Sequence, residues 1–337
     1  MQPERYLIRK PSLELLFNKL REKGKTVVAP RNKETRVFYD EVQAFSEISG
    51  DYLVTANTAK AYVFPRTETL FSYKKSDGNI EITEPSGKDF PEIVLWGTRP
   101  CDAAGFIPLN ILFNWDYKDI LFNARLEKLT VLSFSCTKSD EYCFCTSVGG
   151  GPGNTAGSDI LFTLLGNGDY LAEILTPKGK ELVEGNATLF LPAGAVNKEE
   201  KLADVKVSFN REELRKRLKD IFDSPVWEEQ SARCLGCGSC AFVCPICSCF
   251  DIQDEAHGKN GVRVRCWDAC GNSLFTMHTS GHNPRDNQAM RWRQRILHKF
   301  LYMPDRLQVT GCTGCGRCSR TCPADMNILE HVTSFNK

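Results

Sequence analysis

Two stretches of this sequence repeat one cysteine spacing: Cys234-Leu-Gly-Cys237-Gly-Ser-Cys240-Ala-Phe-Val-Cys244-Pro245 and Cys312-Thr-Gly-Cys315-Gly-Arg-Cys318-Ser-Arg-Thr-Cys322-Pro323. They are the only internal repeat, and they restrict the backbone there to tight loops that bring sulfurs onto a common centre. The chain carries 16 cysteines: none before Cys101, four from Cys101 to Cys145, and twelve from Cys234 onward. No apolar signal core follows a basic start at the N-terminus, so the expected compartment is the cytoplasm, where thiols stay reduced. A disulfide framework is therefore a poor account of them, and metal is the better one.

The spacing C-x2-C-x2-C-x3-C-P is the bacterial ferredoxin pattern for [4Fe–4S] clusters. Three close thiolates on a glycine-containing loop reach three corners of one cubane, and loop N–H groups offset its negative charge. The fourth cysteine points away and, in paired sites, ligates the other cluster. Its proline turns the chain and removes a donor that would otherwise need a partner. The expected assignment is crossed: Cys234, Cys237, Cys240 and Cys322 for one cluster; Cys312, Cys315, Cys318 and Cys244 for the other. Tetrahedral zinc would come as separated C-x2-C pairs, without the evenly spaced triple or the trailing Cys-Pro.

Eight thiols remain. Cys247 and Cys249, then Cys266 and Cys270, form a C-x-C plus C-x3-C set between the runs. Two readings stand open for them: a third cluster or metal, or small apolar packing around the two clusters. In the N-terminal half, Cys136 ends an expected strand, and Cys143-Phe-Cys145 leads into Gly149-Gly-Gly-Pro-Gly153, which reads as a tight turn rather than a phosphate loop. Thr98-Arg99-Pro100-Cys101-Asp102 is either an edge-of-sheet site or a loop fixed by an Arg99–Asp102 pair. The five histidines show no zinc-protease or triad arrangement, and no nucleophile elbow or Walker loop is present. No catalytic residues are assigned.

The fold class expected is α+β. An N-terminal mixed α/β domain spans 1–205, a linker helix 206–226, and a mainly helical ferredoxin-like domain with the two clusters 227–337. Ser12 is the expected cap of a first helix through Leu13, Leu16, Phe17 and Leu20, with Gly24 closing it. Strands are expected at Thr26–Ala29, Tyr52–Thr55, Ile93–Trp96, Thr130–Phe134, Ile160–Leu165, Tyr170–Leu175 and Thr188–Leu191. Asn210 caps a charged helix to Phe222. A helix over Asn287–Phe300 should turn Met290, Ile296, Leu297 and Phe300 inward, leaving Arg291, Arg293 and Arg295 on a solvated face. A formal net charge of +1 argues against nucleic acid, and no apolar run approaches the ~20 residues that cross a bilayer.

From about residue 92 to 330 the sequence resembles the dicluster β subunits of cytoplasmic multi-subunit reductases. These include the β subunits of soluble NAD(P)-linked nickel–iron hydrogenases (sulfhydrogenases), the corresponding component of anaerobic sulfite reductase, and those of flavin oxidoreductases coupled to heterodisulfide reductase. The resemblance rests on both cysteine runs, Cys249-Phe-Asp251, Trp267-Asp-Ala-Cys270, Gly281-His-Asn-Pro284, His298-Lys-Phe300, Gly97-Thr-Arg-Pro-Cys-Asp102 and Cys143-Phe-Cys-Thr-Ser-Val-Gly-Gly-Gly-Pro152. Ile246 and Ser248 depart from the family's usual threonine and tyrosine. The resemblance implies a relay of single electrons within an anaerobic oxidoreductase complex, between a flavin-containing, NAD(P)H-linked subunit on one side and a separate catalytic redox subunit on the other. The alternative is a reductase with its own substrate site near Cys101, Cys143 and Cys145.

Overall fold

Runs of β-branched and aromatic residues build the larger of two sheets. In the computed structural model, which describes residues 3–194 and 196–335, eight strands lie in the order β10-β1-β9-β8-β7-β6-β2-β3. These are β1 (Glu4–Ile8), β2 (Thr26–Lys33), β3 (Arg36–Glu41), β6 (Ile93–Thr98), β7 (Leu129–Phe134), β8 (Ile160–Leu164), β9 (Tyr170–Ile174) and β10 (Phe190–Pro192). The four central strands β2, β6, β7 and β8 run parallel, and both flanks are antiparallel. Alternation assigns the two faces. Val27, Val94 and Trp96 pack under the Lys10–Glu22 helix, against its Leu13, Leu16, Phe17 and Leu20. Val28, Leu95 and Val131 meet Phe106, Leu109, Phe113 and Phe122 on the other side. Each such side chain, wholly buried, contributes about 1.5–3 kcal/mol.

The first helix begins at Lys10 rather than at Ser12, because Pro11 suits an opening turn; Arg9 caps it without a side-chain bond. Tyr52–Thr55 is not a strand. Its carbonyls accept from arginine side chains instead: Tyr52 O and Leu53 O from Arg99, Thr55 O from Arg317. Asn210 caps the Arg211–Asp220 helix through Glu212 N and Glu213 N, as its sequence position suggests.

The second sheet, in the order β11-β12-β4-β5, crosses the composition boundary near residue 205. It combines β4 (Thr67–Ser76) and β5 (Asn79–Thr83) with β11 (Phe250–His257) and β12 (Asn260–Trp267). β12 lies antiparallel to β4, Thr67 opposite Cys266. A buried carboxylate locks the pairing: Glu68 is held between Arg265 of β12 and Arg125, and Arg265 also reaches Asp119. Trp267 at the end of β12 joins Phe64, Phe106 and Phe113 in the core, so the hairpin packs on the N-terminal half. β11 is exposed along its whole length, and no strand is expected there from the sequence.

The Gln288–Leu297 helix, capped by Asn287, continues into a wider turn at His298–Tyr302. Trp292, Arg295, Ile296, Leu297, Lys299 and Phe300 are buried along it, whereas Met290 is half-buried. Arg295 thus faces inward, not solvent. Its guanidinium meets the first cysteine run at Cys240 O.

Candidate iron–sulfur site

The two cysteine runs take the same backbone shape. Gly236 and Gly314, each just before the second cysteine, adopt φ of 66° in the left-handed region. Glycine enters that region without the steric cost other residues bear. A short helix follows each, Ser239–Phe242 and Arg317–Thr321.

Cys234, Cys237, Cys240 and Cys322 line one cavity of about 600 Å³, counted out to its open mouth, together with Cys318, Gln288 and Arg295. Three thiols of the first run and the last of the second therefore share a wall. Cys312, Cys315, Cys318 and Cys244 form a neighbouring group: burial raises Cys315, and its next influences are Arg317, Cys318 and Cys244. Cys318 also lies beside Cys240, so the two groups adjoin. Among the described residues no three His, Cys, Asp or Glu side chains converge tightly enough to hold a single metal ion.

Cys247 contacts Cys244, and Cys249 contacts Cys270. Cys266 stands apart in β12, facing Asp251 and Thr67 across the ladders. The set of four suggested by spacing is thus not gathered as a unit.

Three buried cations surround these thiols. Lys299, 4% exposed, donates to Cys244 Sγ at 3.3 Å and Gly311 O at 2.9 Å. Arg295, also 4% exposed, donates to Cys240 O at 3.1 Å and approaches Cys247 Sγ at 3.8 Å. Lys60 donates to Cys247 O at 2.5 Å and lies 4.0 Å above the Trp267 ring. Gln288 Nε2 donates to Cys234 Sγ at 3.0 Å. Among the described residues none of these three cations has a carboxylate within ion-pair distance, although every other buried lysine or arginine except Arg99 does. An unpaired buried charge costs several kcal/mol, so anionic charge at the sulfurs is its natural counterpart.

The thiol chemistry follows. Burial raises Cys240 to about 11 and Cys312 to about 12, opposed by Arg295 and Lys299 respectively. Exposed Cys237 goes the other way: hydrogen bonding to the Ser239 hydroxyl, 3.4 Å away, holds it below the ordinary thiol range. For Lys299, burial works against the charge, but the neighbouring sulfurs, Cys244 above all, outweigh it and keep the amine protonated. Soft thiolate donors on glycine loops with interior cations suit an iron–sulfur cluster.

Asp102 does not pair with Arg99. Buried Arg317, from the second run, takes it instead, with an ion-pair distance of 2.6 Å and a 2.7 Å hydrogen bond to Oδ2, while Tyr39 donates to the same oxygen at 2.7 Å. The sequence did not reveal Lys60, Gln288, Arg295, Lys299 or Arg317 as site residues. Only Arg317, inside the cysteine run, and Lys299, in the His-Lys-Phe motif, carried any signal.

Residues 233–326 match the family model described as a 4Fe-4S dicluster domain, which makes this an iron–sulfur protein of the electron-transfer class. Over 324 residues the chain is 31% identical to sulfhydrogenase 2 subunit beta of Pyrococcus furiosus, across 94% of this chain and 92% of that protein. The chain belongs to the sulfhydrogenase beta-subunit family. No solved structure matches it significantly. Among the described residues no helix is long and apolar enough to cross a membrane.

Proposed function

We propose that this chain relays single electrons inside a cytoplasmic hydrogenase-type complex, between a flavin-containing, NAD(P)H-linked subunit on one side and a separate catalytic redox subunit on the other. Two [4Fe–4S] clusters serve it, one held by Cys234, Cys237, Cys240 and Cys322, the other by Cys312, Cys315, Cys318 and Cys244. The observation that carries this reading is the trio Lys60, Arg295 and Lys299, buried without carboxylates against the cysteine loops. When bound, such a cluster takes up and returns one electron at a time. The protein's part is to hold the thiolates, exclude water and set the local charge. Lys299 and Gln288 donate directly to ligand sulfurs, and hydrogen bonds there tune the potential. The cavity shared by the first run and Cys322 supports the crossed assignment.

The test is anaerobic preparation of the full chain, with iron and acid-labile sulfide analysis and EPR of the reduced protein. Magnetically coupled low-potential signals are expected, with no NAD(P)H oxidation by the isolated, flavin-free chain. Colourless protein without sulfide, or rapid NAD(P)H turnover by the chain alone, would sink it.

A further inference from the structure

The central parallel strands β6 and β7 end side by side, Thr98 opposite Ser133. Ligands of open α/β sheets gather beyond the carboxyl ends of parallel strands. Here each strand is followed within three residues by a cysteine: Cys101 after β6, Cys136 after β7. Cys136 N donates to Pro152 O at 2.9 Å, folding the 136–152 segment back on itself and bringing Cys143 and Cys145 to the same edge. Cys136, Cys143 and Cys145 are neighbours, and Cys101 adjoins Cys136 and shares a cavity wall with Cys145. Cys136 and Cys143 lie within electrostatic reach of Cys145, Cys143 within reach of Cys136, and Cys136 within reach of Cys101.

Two further observations point to a negatively charged occupant. Arg99 is 9% exposed and spends its donors on the carbonyls of Tyr52, Leu53 and Ser135. Among the described residues it has no carboxylate at ion-pair distance, which makes it the fourth buried cation of this kind; the other three surround the ferredoxin-pattern thiols. The Cys143–Cys145 segment also receives the second cysteine run directly. Phe144 N donates to Gly314 O at 3.0 Å, and a cavity of about 670 Å³ is lined by Cys101, Cys145 and Cys312 together.

We infer that Cys101, Cys136, Cys143 and Cys145 hold a third iron–sulfur cluster, beside the group formed by the second run. Four thiolates from three segments supply a complete ligand set, which Cys247, Cys249 and Cys270 do not. The relay then continues into the N-terminal sheet. These thiols serve electron transfer there, rather than a substrate site. This inference rests on the relay reading above.

The experiment reconstitutes the full chain anaerobically with ferrous iron and sulfide and counts iron and reduced spins. At four irons per cubane, about twelve irons per chain are expected, falling to about eight in Cys136→Ser and in Cys143→Ser. Both variants should lose the same EPR component, while Cys318→Ser loses a different one. The wild-type count decides even if a variant folds poorly. About eight irons in the wild type, unchanged by Cys143→Ser yet reduced by Cys318→Ser, overturns this inference alone. One zinc per chain released by Cys143→Ser, with iron unaltered, overturns it as well. Wild-type protein that takes up no iron removes the relay reading with it.

Discussion

The first and second cysteine runs share spacing, left-handed glycines and a following short helix, yet their surroundings are opposite. In the first run Cys237 is exposed and Leu235 is 70% exposed beside the mouth of a cavity. In the second, Cys315 and Arg317 are buried, and the loop is pressed against Tyr142, Phe144 and Cys145. The position held by Ser239 in the first run is held in the second by Arg317, which reaches Asp102 and Thr55. One sequence repeat therefore makes two different devices. The first loop stands open to solvent; the second is anchored to the N-terminal half through Asp102 and Thr55.

The largest expected effect lies in that anchor. Arg317→Ala leaves Asp102 buried and unpaired, and should lower stability by about 3–5 kcal/mol in denaturant unfolding. Ser239→Ala, its counterpart, should cost about 1 kcal/mol or less. Equal losses would erase the contrast. The glycines give a second comparison. A Cβ on Gly314 would stand 2.5 Å from the backbone of Cys145, whereas one on Gly236 meets the movable Gln288 side chain at 3.1 Å. Gly236→Ala should cost about 1–2 kcal/mol, the left-handed penalty alone, and Gly314→Ala clearly more.

Lys299→Met removes the cation at Cys244, which belongs by assignment to the buried cluster. One midpoint potential should fall by about 60 mV or more, the one-electron equivalent of tenfold, while the signal assigned to the exposed cluster moves less. Redox titration followed by EPR reads this. Acid gives a fourth comparison. Burial, with Lys299 next, lowers His298 from 6.5 to about 4. The unfolded chain then binds that proton first, so the stability is fully present above pH 6.5 and is lost as pH falls towards 4. His298→Gln should flatten that part of the pH–stability curve. The smallest effect belongs to Leu235→Ala: less than about 0.5 kcal/mol in stability, with slower electron exchange in the assembled complex.

The cysteine runs made the iron–sulfur class legible because ligand spacing is local in sequence. The Asn210 cap and the strands Ile93–Thr98, Leu129–Phe134 and Ile160–Leu164 were legible for the same reason. What escaped is long-range. Lys60 and Arg295 look like surface residues until the fold turns them onto cysteine carbonyls 187 and 55 positions away. Arg99 and Asp102 are near neighbours that seemed made for each other, but each finds a partner elsewhere. Tyr52–Thr55 has strand composition and still gives its carbonyls to arginines, a choice no local pattern records.

The pairing of β4 with β12 has a consequence for biosynthesis. Glu68 must wait for Arg265, made 197 residues later, before its charge is fully neutralised in the interior. Ribosome-bound chains long enough to contain the whole eight-stranded sheet would still lack half of the smaller one, and such distant contacts form slowly. Assembly of the smaller sheet is thereby tied to the emergence of the first cysteine run, which directly precedes β11 in the chain.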